Sequence, residues 1–592
     1  MSPHARTVPG LPHRRSLTAR AAAGIGAIAL LATGLIALPL AQPARAADFT
    51  VPDVDTDAEY RAALADCDAG TPGDTCTIEI TGPFAVDGAG GSPFYDGLMD
   101  VVIVGVGAQH SITRTGALVP FLRASGLGSI TIENLAFSGF TLTNEGGAVI
   151  NLNGPDLTLH GVSMTNNTSN TSEMHSADGG AIRSTLGSVA IYDSTFEDNF
   201  AEGNDAQAWS GTGGVVFTSL GAIHLERSTF TDNGAQRGGG VASTWAGSIT
   251  VVDSTFDIND ADWGGVISQD DGGLTVTGST FTGNTASAGG AIYTSSDISI
   301  TNSTFDANVA SVGGAVYTNF SFATLTHVTL TDNEATSQAA HIFTYGSAVT
   351  LRATVLGAPA GGSACGIFSG GSFISGGYNW ATTTSCLNGS NATDVVNGTD
   401  PGLSALADNA GTTHTRLPAW TSPLRDAIPL SETAPAADQR GVTRAQGAGF
   451  DIGAVEVVHP SVTFTVHNNN ADAVAEFTVD GASSVDEVEW FAVAGYTPVA
   501  PAGVTGPLGI MGFELTVPAP GESVEVTAVL LQPVNQVWKD VNGTWVEVTD
   551  AVIAGNTVTY ELTDGGPLDS DGVANGVIVD PVLFGVGAAF TG

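Results

Sequence analysis

The chain has 592 residues and a formal charge of -42, from 17 Lys and Arg against 59 Asp and Glu. So acidic a surface argues against nucleic acid as a partner and makes cations, Ca²⁺ among them, more natural company. The length suits two or three domains, and 77 glycines with few helix signals suit an all-β chain.

Residues 1–46 read as an export signal. Arg6, Arg14, Arg15 and Arg20 precede the apolar run Ala21 to Leu40, and Ala44-Arg45-Ala46 supplies a small-x-small cleavage pattern. The run is long enough to span a bilayer, but Pro39, Pro43 and the cleavage motif argue for its removal, leaving no membrane span. Arg14-Arg15 is followed by Ser16-Leu17-Thr18, a poor twin-arginine match, so ordinary secretion is expected. Cleavage takes away five arginines and no acid, which leaves -47 on an extracellular or surface-associated protein. In that setting the local pairs Cys67/Cys76 and Cys365/Cys386 read as two disulfides.

Residues 47–128 are expected to form an N-terminal cap and the first coils of a repeat region. Thr56 to Glu59 forms a capping box ahead of a short helix ending near Asp66. Strands are expected at Thr77 to Ile80 and Val101 to Val106.

Over residues 129–357 one cassette of about 25 residues recurs. Apolar pairs at i and i+2 (Val189/Ile191, Ile223/Leu225, Ile249/Val251, Leu274/Val276, Ile298/Ile300) are followed at fixed intervals by Phe196, Phe230, Phe256, Phe281 and Phe305. The same anchors are followed by Asn199, Asn233, Asn259, Asn284 and Asn308, and a Gly-Gly pair ends each cycle. Such a repeat means stacked units that bury their apolar face only against neighbours. Period-2 alternation makes the units strands. The chain should therefore wind as a parallel β-helix of three short strands per turn, with Phe over Phe, Asn over Asn, and glycines at the corners. GGAI (Gly179 to Ile182, Gly289 to Ile292) and STFxxN resemble the repeats of polymorphic outer-membrane proteins and other right-handed parallel β-helix proteins. That resemblance implies the fold and leaves function open among lyases, hydrolases, adhesins and stalks.

Three groups of residues are candidates for function within the coils. Two adjacent coils carry insertions holding His175 and Asp178, then Glu202, Asp205 and Trp209, and insertions in solenoids often bind. On the strand after the Gly pair, one ladder reads Arg183, Phe217, Ser243, Ser268, Tyr293, Tyr317, and the next exposed position gives Trp245 and Asp270. Trp245, Tyr293 and Tyr317 beside Asp270 suit the faces and hydroxyls of a polysaccharide or cell-surface glycan. Arg237 and Asp262 should nearly touch on neighbouring coils, and with Asp260, Asp270 and Asp271 they are the constellation closest to a polysaccharide lyase or hydrolase. An interstrand ion pair explains Arg237/Asp262 as well.

Residues 358–457 resemble the choice-of-anchor Q domain in Gly376-Gly377-Tyr378-Asn379-Trp380, Asp400-Pro401-Gly402-Leu403, Asp438-Gln439-Arg440-Gly441, Arg444 and Asp451-Ile452-Gly453-Ala454-Val455-Glu456. The pattern is broken at Asn409-Ala410-Gly411 and Pro423-Leu424-Arg425-Asp426. The segment should close the solenoid as a cap, with Asp438, Arg440, Arg444 and Asp451 structural.

Residues 458–592 change to longer alternating strands, from Ser461 to Val466 through Trp545 to Val548, which predict an Ig-like β-sandwich. Its end, Leu562 to Pro581, resembles the choice-of-anchor U type, and Asp564, Asp569, Asp571, Asn575 and Asp580 there could supply oxygens to Ca²⁺. No sorting tail is visible after it, so the adhesin and autotransporter roles of the polymorphic membrane proteins do not carry over intact. The sequence thus reads as an exported β-helix protein binding glycans without catalysis, with a lyase or hydrolase as the alternative.

Overall fold

The computed structural model describes residues 48–592 except 172–176, 205–209, 388–390, 420–421, 459, 468–472, 506–507, 519 and 588–592. The export signal lies outside the described residues, as do His175, Asp205 and Trp209. Among the described residues no helix is long and apolar enough to cross a membrane.

The alternating anchors form strands that pair only in parallel, each with its equivalent one coil away, as Val189 with Ile223 and Ile191 with Leu225. Four stacked sheets result, of 13, 13, 11 and 8 strands. The expectation of three strands per turn therefore needs correction. A complete coil uses four, for example Val189–Tyr192, Thr195–Glu197, Phe200–Glu202 and Val216–Thr218. The extra corner comes just before each ladder asparagine, where Asp198, Asp232, Ile258 and Ala307 hold φ of 59°, 53°, 50° and 52°. Glycine is needed at a different corner. The first glycine of each pair has positive φ, 66° at Gly289. The second lets two coils touch: a Cβ on Gly265 would stand 2.2 Å from the carbonyl oxygen of Gly290.

Inside, Phe196, Phe230, Phe256, Phe281 and Phe305 form one file, with ring centroids 5.1, 5.0, 4.7 and 4.6 Å apart. Beside it runs a file of buried amides. Each asparagine from Asn167 to Asn308 donates Nδ2 to the Oδ1 of the next, at 2.8 to 3.1 Å, which satisfies polar groups that burial would otherwise leave stranded. The file ends on His341. Asn333 Nδ2 lies 3.3 Å from His341 Nδ1, and His341 Nε2 lies 3.0 Å from the carbonyl of Gly357.

Burial pushes the His341 imidazole down to about 4. The neutral ring can accept from Asn333 at Nδ1, and the protonated ring cannot. A folded pKa below the unfolded value means that His341 contributes stability above pH 6.5 and loses it as pH falls towards 4. In urea titrations, the stability gap between wild type and His341→Gln should narrow by about 3 kcal/mol between pH 7 and pH 4. An unchanged gap would remove His341 from the ladder. Asp178 and Asp451, which burial raises to about 6, tilt total stability the opposite way and cancel in this difference.

The N-terminal end is closed by a helix, Asp57–Asp68, two residues longer than expected. Its capping box is formed: Glu59 N–H donates to Thr56 Oγ1 at 3.3 Å, and Thr56 Oγ1 donates to Glu59 Oε2 at 2.7 Å. Tyr60 stacks on Phe121 at 4.5 Å, covering the open rung. Disulfides Cys67–Cys76 and Cys365–Cys386 are both present, with Cα atoms 5.5 and 5.0 Å apart.

Residues 358–457 begin as a further coil, with Cys365–Phe368 and Ser372–Ser375 continuing two of the parallel sheets. The chain then turns back and lies along the outside of the phenylalanine-bearing strands. Thr413 Oγ1 donates to Gly278 O, Asn302 Nδ2 to Ala437 O, and Ala454 N–H to Thr329 Oγ1. The segment is thus a lateral strap. It buries outward-facing Thr280, Thr304 and Thr329.

The remaining strands form two antiparallel sheets. One holds Ser461–His467, Ala473–Asp480, Ser523–Leu530, Thr557–Thr563 and Val552–Ala554, and the other is centred on Val577–Gly587. Phe477 of the first meets Phe513 of the second at 5.2 Å, in a β-sandwich core.

Candidate functional site

The strand after each Gly pair places its ladder in the register expected from the repeat: Arg183, Phe217, Ser243, Ser268, Tyr293 and Tyr317 are successive partners. Not all of it is open. Phe217 is buried, with the edge of Trp245 against it at 5.2 Å, while Trp245 itself is 44% exposed. Further along, Tyr293 and Tyr317 stack at 5.1 Å, and Tyr317 continues onto Phe343 at 5.0 Å.

The file begins on a residue that counting along the sequence misses. Trp263, 39% exposed, stacks on Tyr293 at 5.9 Å. Its own register partner one coil back is Gly238, which carries no side chain, and among the described residues no second ring packs on it. Trp263 is thus the partly exposed end of the file. Trp263 escapes the count because it stands just before the Gly pair, one strand away from the ladder of Tyr293.

Trp263 also connects the aromatic ladder with the Arg237/Asp262 constellation. It follows Asp262, whose Oδ2 lies 3.5 Å from Arg237 Nη1 across neighbouring strands. Arg237 and Asp262 do meet, as their spacing required. On the far side of Tyr293, Asn319 Nδ2 donates to Tyr293 Oη at 3.5 Å and Ser295 Oγ at 3.1 Å. The exposed carboxylate of Asp270 acts on the Tyr293 hydroxyl, and partial burial raises the pKa of both groups. Asp271 accepts from the backbone at Gly272, and Asp260 contacts the Thr285 hydroxyl. The assembled surface offers aromatic rings, hydroxyls, an amide, a carboxylate and a guanidinium on consecutive coils.

Asp178 is fully buried, and its Oδ1 accepts from Gly211 N–H, Thr212 N–H and Thr212 Oγ1 at 3.1 to 3.2 Å. Its role in the structure is to tie one coil to the next. Glu202 ends the strand Phe200–Glu202 and is exposed.

Of the five residues considered for calcium, Asp564, Asp569, Asp571 and Asn575 are linked by hydrogen bonds within one turn. Asp564 accepts from the amides of Gly521, Asn575 and Gly576, and Asp569 from those of Gly565, Asp571 and Val579. Asp571 accepts from Val573 N–H and Asn575 Nδ2, while Asn575 Oδ1 accepts from Val577 N–H. Asp580 faces the core and contacts Lys539. Among the described residues no three His, Cys, Asp or Glu side chains converge as a metal site. These oxygens fold a glycine-rich turn by accepting its backbone N–H groups.

A cleft of about 690 Å³ lies elsewhere, between the strap and the sandwich, lined by Leu403, Pro418, Val457, Pro460 and Pro518. Among the described residues that line it, none has a titratable side chain.

A family model described as "Right handed beta helix region" matches residues 208–356. No curated protein matches the chain. Among solved structures, the enzymatically active domain of tailspike protein 4 of bacteriophage CBA120 is similar over 90% of this chain at 12% identity, with a TM-score of 0.22. This chain spans 64% of the length of that one.

Proposed function

We propose that this is an exported, non-catalytic glycan-binding protein whose binding face runs along Trp263, Tyr293 and Tyr317. The observation that carries the reading is the file of stacked rings that starts on the partly exposed Trp263 and is flanked by polar groups. A sugar ring presents C–H bonds on one face and hydroxyls at its rim, and this surface is complementary to both. Successive rungs repeat at about 4.8 Å, roughly the length of one sugar residue, so an extended chain along the axis would meet similar groups at each step. The net charge of -42 favours neutral glycans over uronates or sulfated chains. Two disulfides suit an oxidising exterior.

A lyase or hydrolase reading draws on the Arg237–Asp262 contact. The pair accounts for itself as an ion pair between coils, with each group the partner of the other.

A glycan array followed by calorimetry tests the proposal. Trp263→Ala should weaken the best neutral ligand about tenfold, the loss of about 1.4 kcal/mol of stacking, without changing the melting temperature of the coils. Unchanged affinity in that variant and in Tyr293→Ala would move the site elsewhere. No new reducing ends or unsaturated products should accumulate. Turnover that disappears in Arg237→Ala would establish the enzymatic reading instead.

A further inference from the structure

Lys539 is the only lysine in the chain, and it lies at the centre of the sandwich with its side chain 0% exposed. It sits on strand Gln536–Val541, paired with Val582 of the neighbouring strand Val577–Gly587. Asp580, two residues from Val582 and on the same inward face, is also 0% exposed and in direct contact with it through Nζ and Oδ1. Rings close the site: Phe513 and Tyr560 have their centroids 5.9 and 5.7 Å from Nζ. Tyr560 Oη donates to the other oxygen, Asp580 Oδ2, at 2.9 Å.

As an ion pair this arrangement is poor. An ammonium has three N–H donors, yet apart from the contact with each other neither Lys539 Nζ nor Asp580 Oδ1 has a hydrogen-bond partner. Two donors would be stranded in a dry, aromatic cavity, and the desolvation of both charges would be only partly offset by a single contact.

We propose that Lys539 and Asp580 are joined by an amide bond between Nζ and Cγ, an internal cross-link between two neighbouring strands of the sandwich. The Nζ lone pair of the uncharged amine attacks Cγ of the protonated Asp580 carboxyl. The C–N bond forms, the bond from Cγ to Oδ1 breaks, and that oxygen leaves as water with the carboxyl proton and one amine proton. No electron is gained or lost overall, and no co-reactant is required. The product keeps one N–H and one carbonyl, and it buries no charge.

The surroundings supply what the condensation needs. Burial lowers the Lys539 pKa far below its ordinary value, which leaves the amine nucleophilic. Tyr560, held neutral by its own burial, donates to the oxygen that becomes the amide carbonyl, where negative charge develops in the addition step. Asp569 is fully buried, with a pKa raised by burial, and is the one charged group that acts on Lys539 besides its partner. Its oxygens accept the backbone N–H groups of Gly565, Asp571 and Val579, so it acts on the amine through its charge and not through a hydrogen bond. Two groups fixed in contact away from water react with effective molarities of order 10⁵ M or more, which offsets the preference of free amines and acids to stay apart in water.

The single lysine makes the test direct. Intact mass spectrometry of the purified full chain, reduced to open both disulfides, should give a mass lower than the sequence mass by one water. A lysine-specific protease should leave the denatured chain uncut, because an acylated lysine is not a substrate. A full sequence mass together with cleavage into two fragments after Lys539 would overturn the proposal, and this needs no variant to fold. Asp580→Ala should restore both the mass and the cleavage.

Discussion

Asn259→Ala is expected to destabilise the central coils by roughly 1–3 kcal/mol, from the stranded backbone N–H of Asn233. The amide of Asn259 works in both directions along the axis. Its Oδ1 accepts from the backbone and side chain of Asn233 at 3.0 and 3.1 Å, and its Nδ2 donates to Asn284 Oδ1 and to Phe230 O at 3.0 Å. Truncation leaves the Asn233 N–H without a partner where no water reaches, while Asn233 Nδ2 keeps only the carbonyls of Phe196 and Thr231 at 3.0 and 3.1 Å. Asn259→Asp separates this account from simple loss of volume. A carboxylate keeps the acceptor towards Asn233 but turns a second oxygen against Asn284 Oδ1 and Phe230 O, so near neutral pH it should harm at least as much as Ala. Protonation would restore a donor. A folded pKa raised by burial means that the Asp variant is most stable below about pH 4 and loses ground as pH rises. Hydrogen exchange should show lost protection in the coils next to residue 259 and little change near the N-terminal helix, because each rung contacts only its neighbours. Uniform loss across the solenoid, or an Asp variant as stable as wild type at pH 7, would refute the ladder as the source of coil stability.

What the sequence disclosed depends on how local each feature is. The pairing of Ile249 with Leu274 and the stacking of Phe256 on Phe281 were readable because one repeat dictates both positions. The fourth strand of each coil was not: Asn166, Asp198, Asp232, Gly283 and Asp332 are of types that favour a left-handed turn, but Ile258 and Ala307 hold the same corner and interrupt that signal. The candidate face was half legible. Tyr293 and Tyr317 stood in one periodic ladder, but the covering of Phe217 by Trp245 depends on side-chain packing, and Trp263 lies one strand away from that ladder. In the sandwich, Asp564 and Asp569 suggested ion ligands because acids dense among glycines look the same whether they meet a cation or backbone amides. The lateral strap was beyond reach. Gln439 Nε2 bonds Thr280 Oγ1 at 2.8 Å across 159 residues, and no period in the sequence relates the two.

The same strap carries the second large effect. Glu456→Ala should detach it at a cost of about 3–5 kcal/mol, the usual penalty for leaving one member of a buried ion pair alone. Arg444, 0% exposed, donates to Glu456 Oε2 at 2.8 Å, to Asp451 O at 3.2 Å and to Gly453 O at 2.9 Å, and Glu456 also accepts from Gln446 and Asp451 N–H. Without Glu456 the buried guanidinium keeps the carbonyls of Asp451 and Gly453 but loses the carboxylate it is paired with, and it cannot reach water without undocking the segment. The coils beneath rest on their own ladders, so they should stay folded while residues 400–456 become open to proteolysis. Glu456→Gln keeps an acceptor but removes the charge and should fall between Ala and wild type. Arg444→Met combined with Glu456→Gln should recover part of the loss, because no unpaired charge is then buried and Leu424, Ile428 and Ile452 still pack on Ala353, Val355 and Trp380. If Glu456→Ala instead melts strap and coils in one step, the strap is part of the solenoid's folding unit, and its hydroxyl contacts with Thr280, Thr304 and Thr329 hold the rungs together rather than only covering them.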